Sequence, residues 1–356
     1  SARVLALLPC ILLASACGGD DGDGKGTPVP SVQVTLTSPG VNEALAVGDE
    51  FPVSVAGSWS GTNVEPQAVF LQVRDTAARF TTPLSINGSS ATSFTFVLHT
   101  VPTIAAGSYS GEIEVRACKD AGCAEPYSGA RATVAYSLSV ATVSDWETHQ
   151  RDAAHTGYVP IWLNPERFSK VWEWSRLPDD PIGGINAVVT ATGKVYVTKD
   201  VYFGEGVLYA FNEGDGAEVW SQSFGQVPAL NPPAVSNGRV YAAVTGHQDT
   251  ALWAFDANTG AYQHKSSFEG QWPHVLAPTV YGDHVYTAGG YYGGTTYSFS
   301  TTDGSREWTH NIGDDDMFTP AVGDIYVVRH TGSALAVINR ASGNQVALID
   351  DPFGSS

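Results

Sequence analysis

Two kinds of residue in this chain have the chemistry to hold a ligand. Aromatic, imidazole and acidic side chains gather in short segments between strand-like runs: Tyr202 and Phe203, His247, Trp272 and His274, Tyr291 and Tyr292, and the triplet Asp314, Asp315 and Asp316. Aromatic faces with a few polar groups beside them make a binding surface, although the same residues are also ordinary loop composition. The Asp triplet offers the oxygen ligands that calcium takes, and a solvated acidic loop is the preferred account of it. Near the start, "DDGDGKG" places Asp21 and Asp23 at calcium-loop spacing, but Lys25 stands where a third ligand belongs and Val32 where the closing Glu belongs. That motif fails. His149 and His155 flank Asp152. Neither a Gly-x-Ser-x-Gly elbow nor a His-Glu-x-x-His zinc motif occurs, so no nucleophile or catalytic metal is announced.

The elements that must carry these residues are strands. The 356 residues include 38 Gly and 20 Pro but one Met, and 15% are charged. Turn formers are plentiful and helix formers scarce, which predicts an all-β chain long enough for two domains. The net charge of −18 repels phosphates, so nucleic acid is not an expected partner.

From residue 184 onward one phrase recurs: "LYAFNEGDGAEVW", "LWAFDANTGAY", "YSFSTTDGSREW". Gly216, Gly260, Gly304 and Gly343 mark it, as do Phe211, Phe255, Phe299 and Ile338, and Tyr196, Tyr241, Tyr286 and Tyr326. A period near 44 residues in strand-rich sequence predicts propeller blades of four strands. Each unit reads as an inner strand after Pro233, Pro278 or Pro320, a second strand, a third ending near Phe255, a turn closed by glycine, and an outer strand ending in "EVW" at Trp220 or "EW" at Trp308. His264 replaces that tryptophan once. A lone blade exposes two apolar faces, so stacking is obligatory and the repeated aromatics are packing residues first. The aromatic and acidic segments above fall between outer and inner strands or between second and third strands, which gathers them at one mouth.

The phrases "GRVYAAVTGHQDTALWAFDANTG" and "LYAFNEGDGAEVW", with the lead-in "DWETHQRDAAHTGYVP", resemble the PQQ-like β-propeller repeat family. The resemblance covers residues 145–356 and implies that His149 and His155 in the lead-in are structural. One branch of that family, the quinoprotein dehydrogenases, binds pyrroloquinoline quinone and calcium and has eight blades and an adjacent cysteine pair. This chain has no cysteine after Cys123 and too few blades. The other branch holds lipid-anchored propellers of the outer-membrane assembly scaffold kind, which it resembles more. "KVWEWSR" (170–176) reads as an outer strand preceding the first full unit, so the expected ring is incomplete, with about four blades plus one outer strand and an unpaired edge.

The first residues, "ARVLALLPCILLASAC", form a short apolar run ending in Ala14-Ser15-Ala16-Cys17. This resembles a bacterial lipobox, with Ala14 in place of the usual Leu, and implies that Cys17 is acylated and inserted in a lipid bilayer. The chain starts at Ser1 with almost no basic region, so the expectation is a chain whose true N-terminus is missing. Residues 1–17 are then signal peptide and 18–31 a Gly-rich acidic tether. Residues 32–142 alternate with a period of two through six or seven strands, as in a β-sandwich. The stretch from Gly107 to Val140 resembles the end of immunoglobulin-like domains of bacterial surface proteins, implying a spacer. Export permits a disulfide, and Cys118 and Cys123, separated by a turn with Asp120 and Gly122, are its expected partners.

The expected fold is thus all-β: an N-terminal immunoglobulin-like β-sandwich, then a PQQ-like β-propeller over 143–356. The expected function is a non-catalytic, membrane-anchored lipoprotein of the outer membrane, facing the periplasm or cell surface. Its propeller loops would bind an envelope protein or glycan without cofactor. The alternatives are a fragment of a PQQ- and calcium-dependent dehydrogenase, or a surface adhesin.

Overall fold

The computed structural model describes residues 29–88, 92–174, 184–246, 249–271, 275–290, 294–312 and 318–352. By contact the chain divides into two compact units. One comprises residues 1–43, 52–101 and 108–138, the other residues 44–51, 102–107 and 139–356. The chain is all-β.

The first unit is built on two sheets. One has the order β1 (Ser31–Leu36), β3 (Pro52–Thr62), β6 (Ser93–His99). The other has the order β2 (Val41–Ala46), β8 (Pro126–Ala141), β7 (Gly107–Cys118), β4 (Phe70–Asp75), β5 (Leu84–Asn87). Alternation along each strand supplies the core. Val53 and Val55, Phe94 and Phe96, and Ile113, Val115 and Ala117 are buried, as inward positions of a two-layer fold must be. The strands number eight rather than six or seven because β2 and β5 are short and alternate weakly. Cys118 and Cys123 form a disulfide with 5.1 Å between their α-carbons. The turn between them is held by the Asp120 carboxylate, which accepts from the backbone N–H groups of Ala124 and Glu125.

The second unit contains four antiparallel sheets. The first blade comprises β9 (Gly184–Ala191), β10 (Lys194–Asp200), β11 (Gly204–Asn212) and β12 (Glu218–Val227). The second has a split inner strand, β13 (Ala229–Leu230) and β14 (Ala234–Ser236), then β15 (Arg239–Thr245), β16 (Ala251–Asp256) and β17 (Tyr262–Ser267). The third comprises β18 (Thr279–Tyr281), β19 (His284–Gly289), β20 (Thr295–Ser300) and β21 (Arg306–Asn311). The fourth comprises β22 (Ala321–Val322), β23 (Tyr326–His330), β24 (Ala334–Asn339) and β25 (Gln345–Asp350). The predicted order of strands within a blade holds, and β14, β18 and β22 each begin right after a proline.

Successive blades bury each other's faces. Tyr196, Leu208 and Ala210 of the first blade meet Val240, Ala242 and Phe255 of the second. Tyr241, Leu252 and Ala254 of the second meet Val285, Tyr297 and Phe299 of the third. Tyr286 and Trp308 of the third meet Val327 and Ile338 of the fourth. Each aromatic so buried contributes about 1.5–3 kcal/mol.

One contact repeats at every interface. Trp172, Trp220, His264 and Trp308 each lie over a glycine of the following unit. A β-carbon at Gly216, Gly260, Gly304 or Gly343 would stand 2.6, 2.7, 2.5 or 2.7 Å from these rings. The same glycines have φ near +70°, a left-handed conformation that favours glycine. Each ring N–H also donates to the carbonyl three residues before its glycine. The acceptors are Glu213 at 2.7 Å, Ala257 at 3.1 Å, Thr301 at 3.1 Å and Arg340 at 3.0 Å. Because a carbonyl only accepts, His264 carries its proton on Nε2.

A second device ties the blades at the hub. The lead-in around residues 145–155 reaches all four innermost strands. Thr190 N–H donates to Trp146 O, Val235 N–H to Glu147 O and Val322 N–H to Ala153 O. The Thr148 hydroxyl donates to Pro278 O at 2.7 Å. Edge groups of inner strands that would otherwise lack partners are satisfied this way.

Three expectations require correction. Residues 171–174 have no strand pairing in the described structure, although Trp172 docks as outer-strand tryptophans do. "EVW" and "EW" open the outer strands rather than end them: Trp220 is the third residue of β12 and Trp308 the third of β21. Tyr326 is not the counterpart of Tyr286. Tyr286 pairs with Ser298 two residues into its strand, and the matching pair in the fourth blade is Val328 with Val337. Tyr326 pairs with Asn339 and is 43% exposed. The connection between second and third strands is shorter in the fourth blade, which slides the sequence match off the structural one.

Removing one of the docking rings tests this account. Trp220→Ala is expected to lower stability by about 3–5 kcal/mol, read from urea denaturation. Gly260→Ala is expected to destabilise as well, through both its φ and the clash with Trp220. An unchanged midpoint for either variant would contradict the account.

Candidate functional site

The lead-in histidines sit at the hub. His149 and His155 meet edge to face with centroids 5.6 Å apart. His155 Nε2 lies 3.1 Å from Thr279 Oγ1, whose own hydroxyl donates to Pro320 O at 2.8 Å. The imidazole is therefore the donor, with its proton on Nε2. Burial, helped by neighbouring His149, pushes the His155 pKa down to about 4. Burial likewise lowers His149. Asp152 is occupied by Thr156, accepting from its N–H at 3.0 Å and its hydroxyl at 2.6 Å. Through Thr279, His155 ties the lead-in to the third blade and to the start of the fourth.

The predicted mouth residues fare unevenly. His247, Trp272, His274, Tyr291, Tyr292, Asp314, Asp315 and Asp316 lie outside the described residues, as does Cys17. Tyr202 and Phe203 are described. They sit on the connection between β10 and β11, exposed by 57% and 56%, and their rings meet edge to face at 4.6 Å. Phe203 takes φ +54°, and its N–H donates to Pro228 O at 3.1 Å, which fixes the tip of the loop.

Phe203 also lines a cleft of about 830 Å³ between the first and second blades. One wall is outer strand β12 with Gln222, Ser223, Phe224 and Gln226. The other is Trp253 and Phe255 of β16 with Tyr262 and Lys265 of β17. Trp253 and Phe255 are two residues apart on one face of a strand, so their rings stack, 3° from parallel and 6.4 Å apart. Phe224 meets both edge-on at 5.8 and 5.9 Å. Tyr262 adds ring contacts to both, and Lys265 Nζ lies 4.7 Å from the Trp253 ring centroid. Ser223 donates to Glu205 at 2.9 Å. The Trp253 indole N–H is buried without a hydrogen-bond partner, unlike those of Trp172, Trp220 and Trp308.

This lining is suited to binding: aromatic walls with amide, hydroxyl, carboxylate and ammonium groups at the rim. Among the described residues no histidine or cysteine lines it. Among the described residues no group of three or more His, Cys, Asp or Glu could hold a metal ion. Sequence reasoning missed the cleft except for Phe203. The signal it could have used is the change from Trp174 to Gln222 at matching positions of the repeat.

A family model described as outer membrane protein assembly factor BamB matches residues 163–355. Among solved structures, the chain is similar to BamB from Moraxella catarrhalis. The two are 13% identical over 89% of this chain and 91% of that one, with a TM-score of 0.39. It is similar to the Dos1 propeller, 13% identical over 44% and 45% of the two chains, TM-score 0.35. It is also similar to the computationally designed Ika8 protein, 16% identical over 48% and 50%, TM-score 0.38. No curated protein matches.

The hub predicts a pH dependence. With its folded pKa below the usual 6.5, His155 binds a proton more readily when unfolded. Its contribution is complete above about pH 6.5 and is lost as pH falls toward about 4. Urea midpoints measured across that window should fall less steeply for His155→Gln than for the parent. Identical pH profiles would refute this.

Proposed function

Since the chain belongs to the outer membrane protein assembly factor BamB family across residues 163–355, we propose that it is a non-catalytic scaffold of the bacterial envelope. The observation that carries this is the family match itself, which covers the blades whose interfaces are described above. Cys17 anchors the chain in the outer membrane and residues 18–31 give it reach. Residues 32–142 act as a spacer, and the propeller over 143–356 binds an envelope protein. The lipobox resemblance supports the anchor. Among the described residues no helix is long and apolar enough to cross a membrane, so the lipid supplies the attachment in this reading. The aromatic cleft and the mouth segments carrying Tyr202, Phe203, His247, Trp272, His274, Tyr291, Tyr292 and Asp314–Asp316 are the surfaces offered to the partner.

Three measurements test the proposal. In fractionated cells, Cys17→Ala is expected to move the protein from the outer-membrane to the soluble periplasmic fraction. After chemical crosslinking, the wild-type chain is expected to retain envelope proteins. It should show no dye-linked dehydrogenase activity when supplied with pyrroloquinoline quinone and calcium. Quinone-dependent turnover would replace the scaffold with an enzyme, and retention of glycans alone would replace it with an adhesin.

A further inference from the structure

We propose that the cleft between the first and second blades binds an aromatic side chain presented by an extended, acidic segment of a partner protein. The proposal rests on the scaffold reading and names its site.

The first blade shows the occupant's geometry. There the extended residues 170–174 lie against β10 and β11, and Trp174 packs on Tyr209 and Phe211 with centroids 5.3 and 5.4 Å apart. Trp172 and Trp220 hold equivalent places, since they cover Gly216 and Gly260 and donate to the carbonyls of Glu213 and Ala257. Two residues beyond each stands Trp174 in one case and Gln222 in the other. Trp253 and Phe255, the counterparts of Tyr209 and Phe211, therefore lack the indole that covers the first blade's pair. Phe224 touches them only edge-on, and the space beside it is the cleft.

The next interface shows what otherwise closes such a groove. Arg306 donates to Ser267 O at 2.9 Å and its guanidinium lies 5.7 Å from the Tyr297 ring centroid. The residue 44 positions earlier is Tyr262, 58% exposed and part of the cleft wall. Two differences from the interfaces on either side, at positions that vary from unit to unit, thus open one space. The indole that covers the first blade's pair indicates what fits it.

Charge selects the flank. Among the described residues Lys265 is the one cation lining the cleft, where Asp249 is the one carboxylate, and a carboxylate placed on the Lys265 side of the incoming ring complements it. Glu173 stands beside Trp174 in the chain's own docked segment, where it pairs with Lys170 at 2.6 Å.

The probe is a fluorescein-labelled peptide with the sequence of residues 169–174, Ser-Lys-Val-Trp-Glu-Trp, titrated into the full chain and followed by anisotropy. Saturable one-to-one binding is expected. Gln222→Trp, which supplies the missing indole from within, is expected to weaken binding by about tenfold or more without lowering the urea midpoint. A peptide with Lys in place of Glu173 should bind the wild type more weakly, and the difference should vanish in Lys265→Ala. Absence of saturable binding to the wild type, or equal affinity for Gln222→Trp, overturns the proposal. Should Gln222→Trp lower the midpoint, photocrosslinking of the peptide to the wild type decides. Adducts on residues 222–226 or 253–265 support the cleft, and adducts elsewhere overturn it. Envelope proteins still captured by folded Gln222→Trp would sink the cleft and leave the scaffold standing.

Discussion

A ring N–H donating to a carbonyl, with its flat face over a glycine, recurs at Trp172, Trp220, His264 and Trp308. The contact joins the outer strand of one unit to the last turn of the next, so it fixes the angle and spacing at which two blades meet. It needs three things at once. The turn glycine must lack a β-carbon because the ring occupies that space. Its backbone must be left-handed to close the turn. The ring must carry a donor, because the carbonyl beneath it is shielded from water and would otherwise go unpaired. His264 satisfies all three with a smaller ring, and Ser266 Oγ donates to Gly304 O at 2.8 Å beside it. Once these contacts are set, the apolar faces between them have no choice but to interleave.

The hub works by a different principle. The inner strands of the last three blades are short, as short as two residues in β22, and cannot hold one another by sheet hydrogen bonds. The lead-in crosses them and supplies the missing acceptors and hydroxyl contacts. A segment that precedes the blades in sequence thus becomes their common fastening. Non-local pairing of that kind, spanning from Thr148 to Pro278 and from Ala153 to Val322, makes the blades cooperative beyond nearest neighbours, unlike a simple linear stack. His149 and His155 are part of that fastening, and their burial follows from it.

Binding capacity arises at positions the repeat leaves variable rather than at those it keeps. A blade face that matches its neighbours perfectly is consumed in packing. At the first interface Trp172 and Trp174 cover their face. At the second, Gln222 and Tyr262 stand where the first interface has an indole and the third a guanidinium, and aromatic surface on Trp253 and Tyr262 stays within reach of solvent. The propeller of an assembly-factor family member can hold a partner on such a surface without changing its own fold, because the pairing of third and outer strands beside the cleft follows the other blades, apart from one added bulge between Glu205 and Val207.

Composition carried the all-β class, and spacing carried the four-strand units, the prolines ahead of the inner strands and the turns closed by Gly216, Gly260, Gly304 and Gly343. These are local: turn geometry, alternation and a period near 44 are written in the order of residues, and stacking follows from apolar faces that one blade cannot bury. The sequence also paired Cys118 with Cys123 and picked out Phe203. It misplaced Tyr326, because a connection shortened by a few residues shifts the alignment while the hydrogen-bonded register, which decides burial, stays put. It took Trp172 and Trp174 for part of a strand, because an extended segment and a paired strand have the same alternation. The lead-in's path across four blades, the depressed pKa of His155 and the cleft beside Trp253 were decided by tertiary structure only. Each depends on which groups meet across more than forty residues of chain, and no local pattern encodes a meeting.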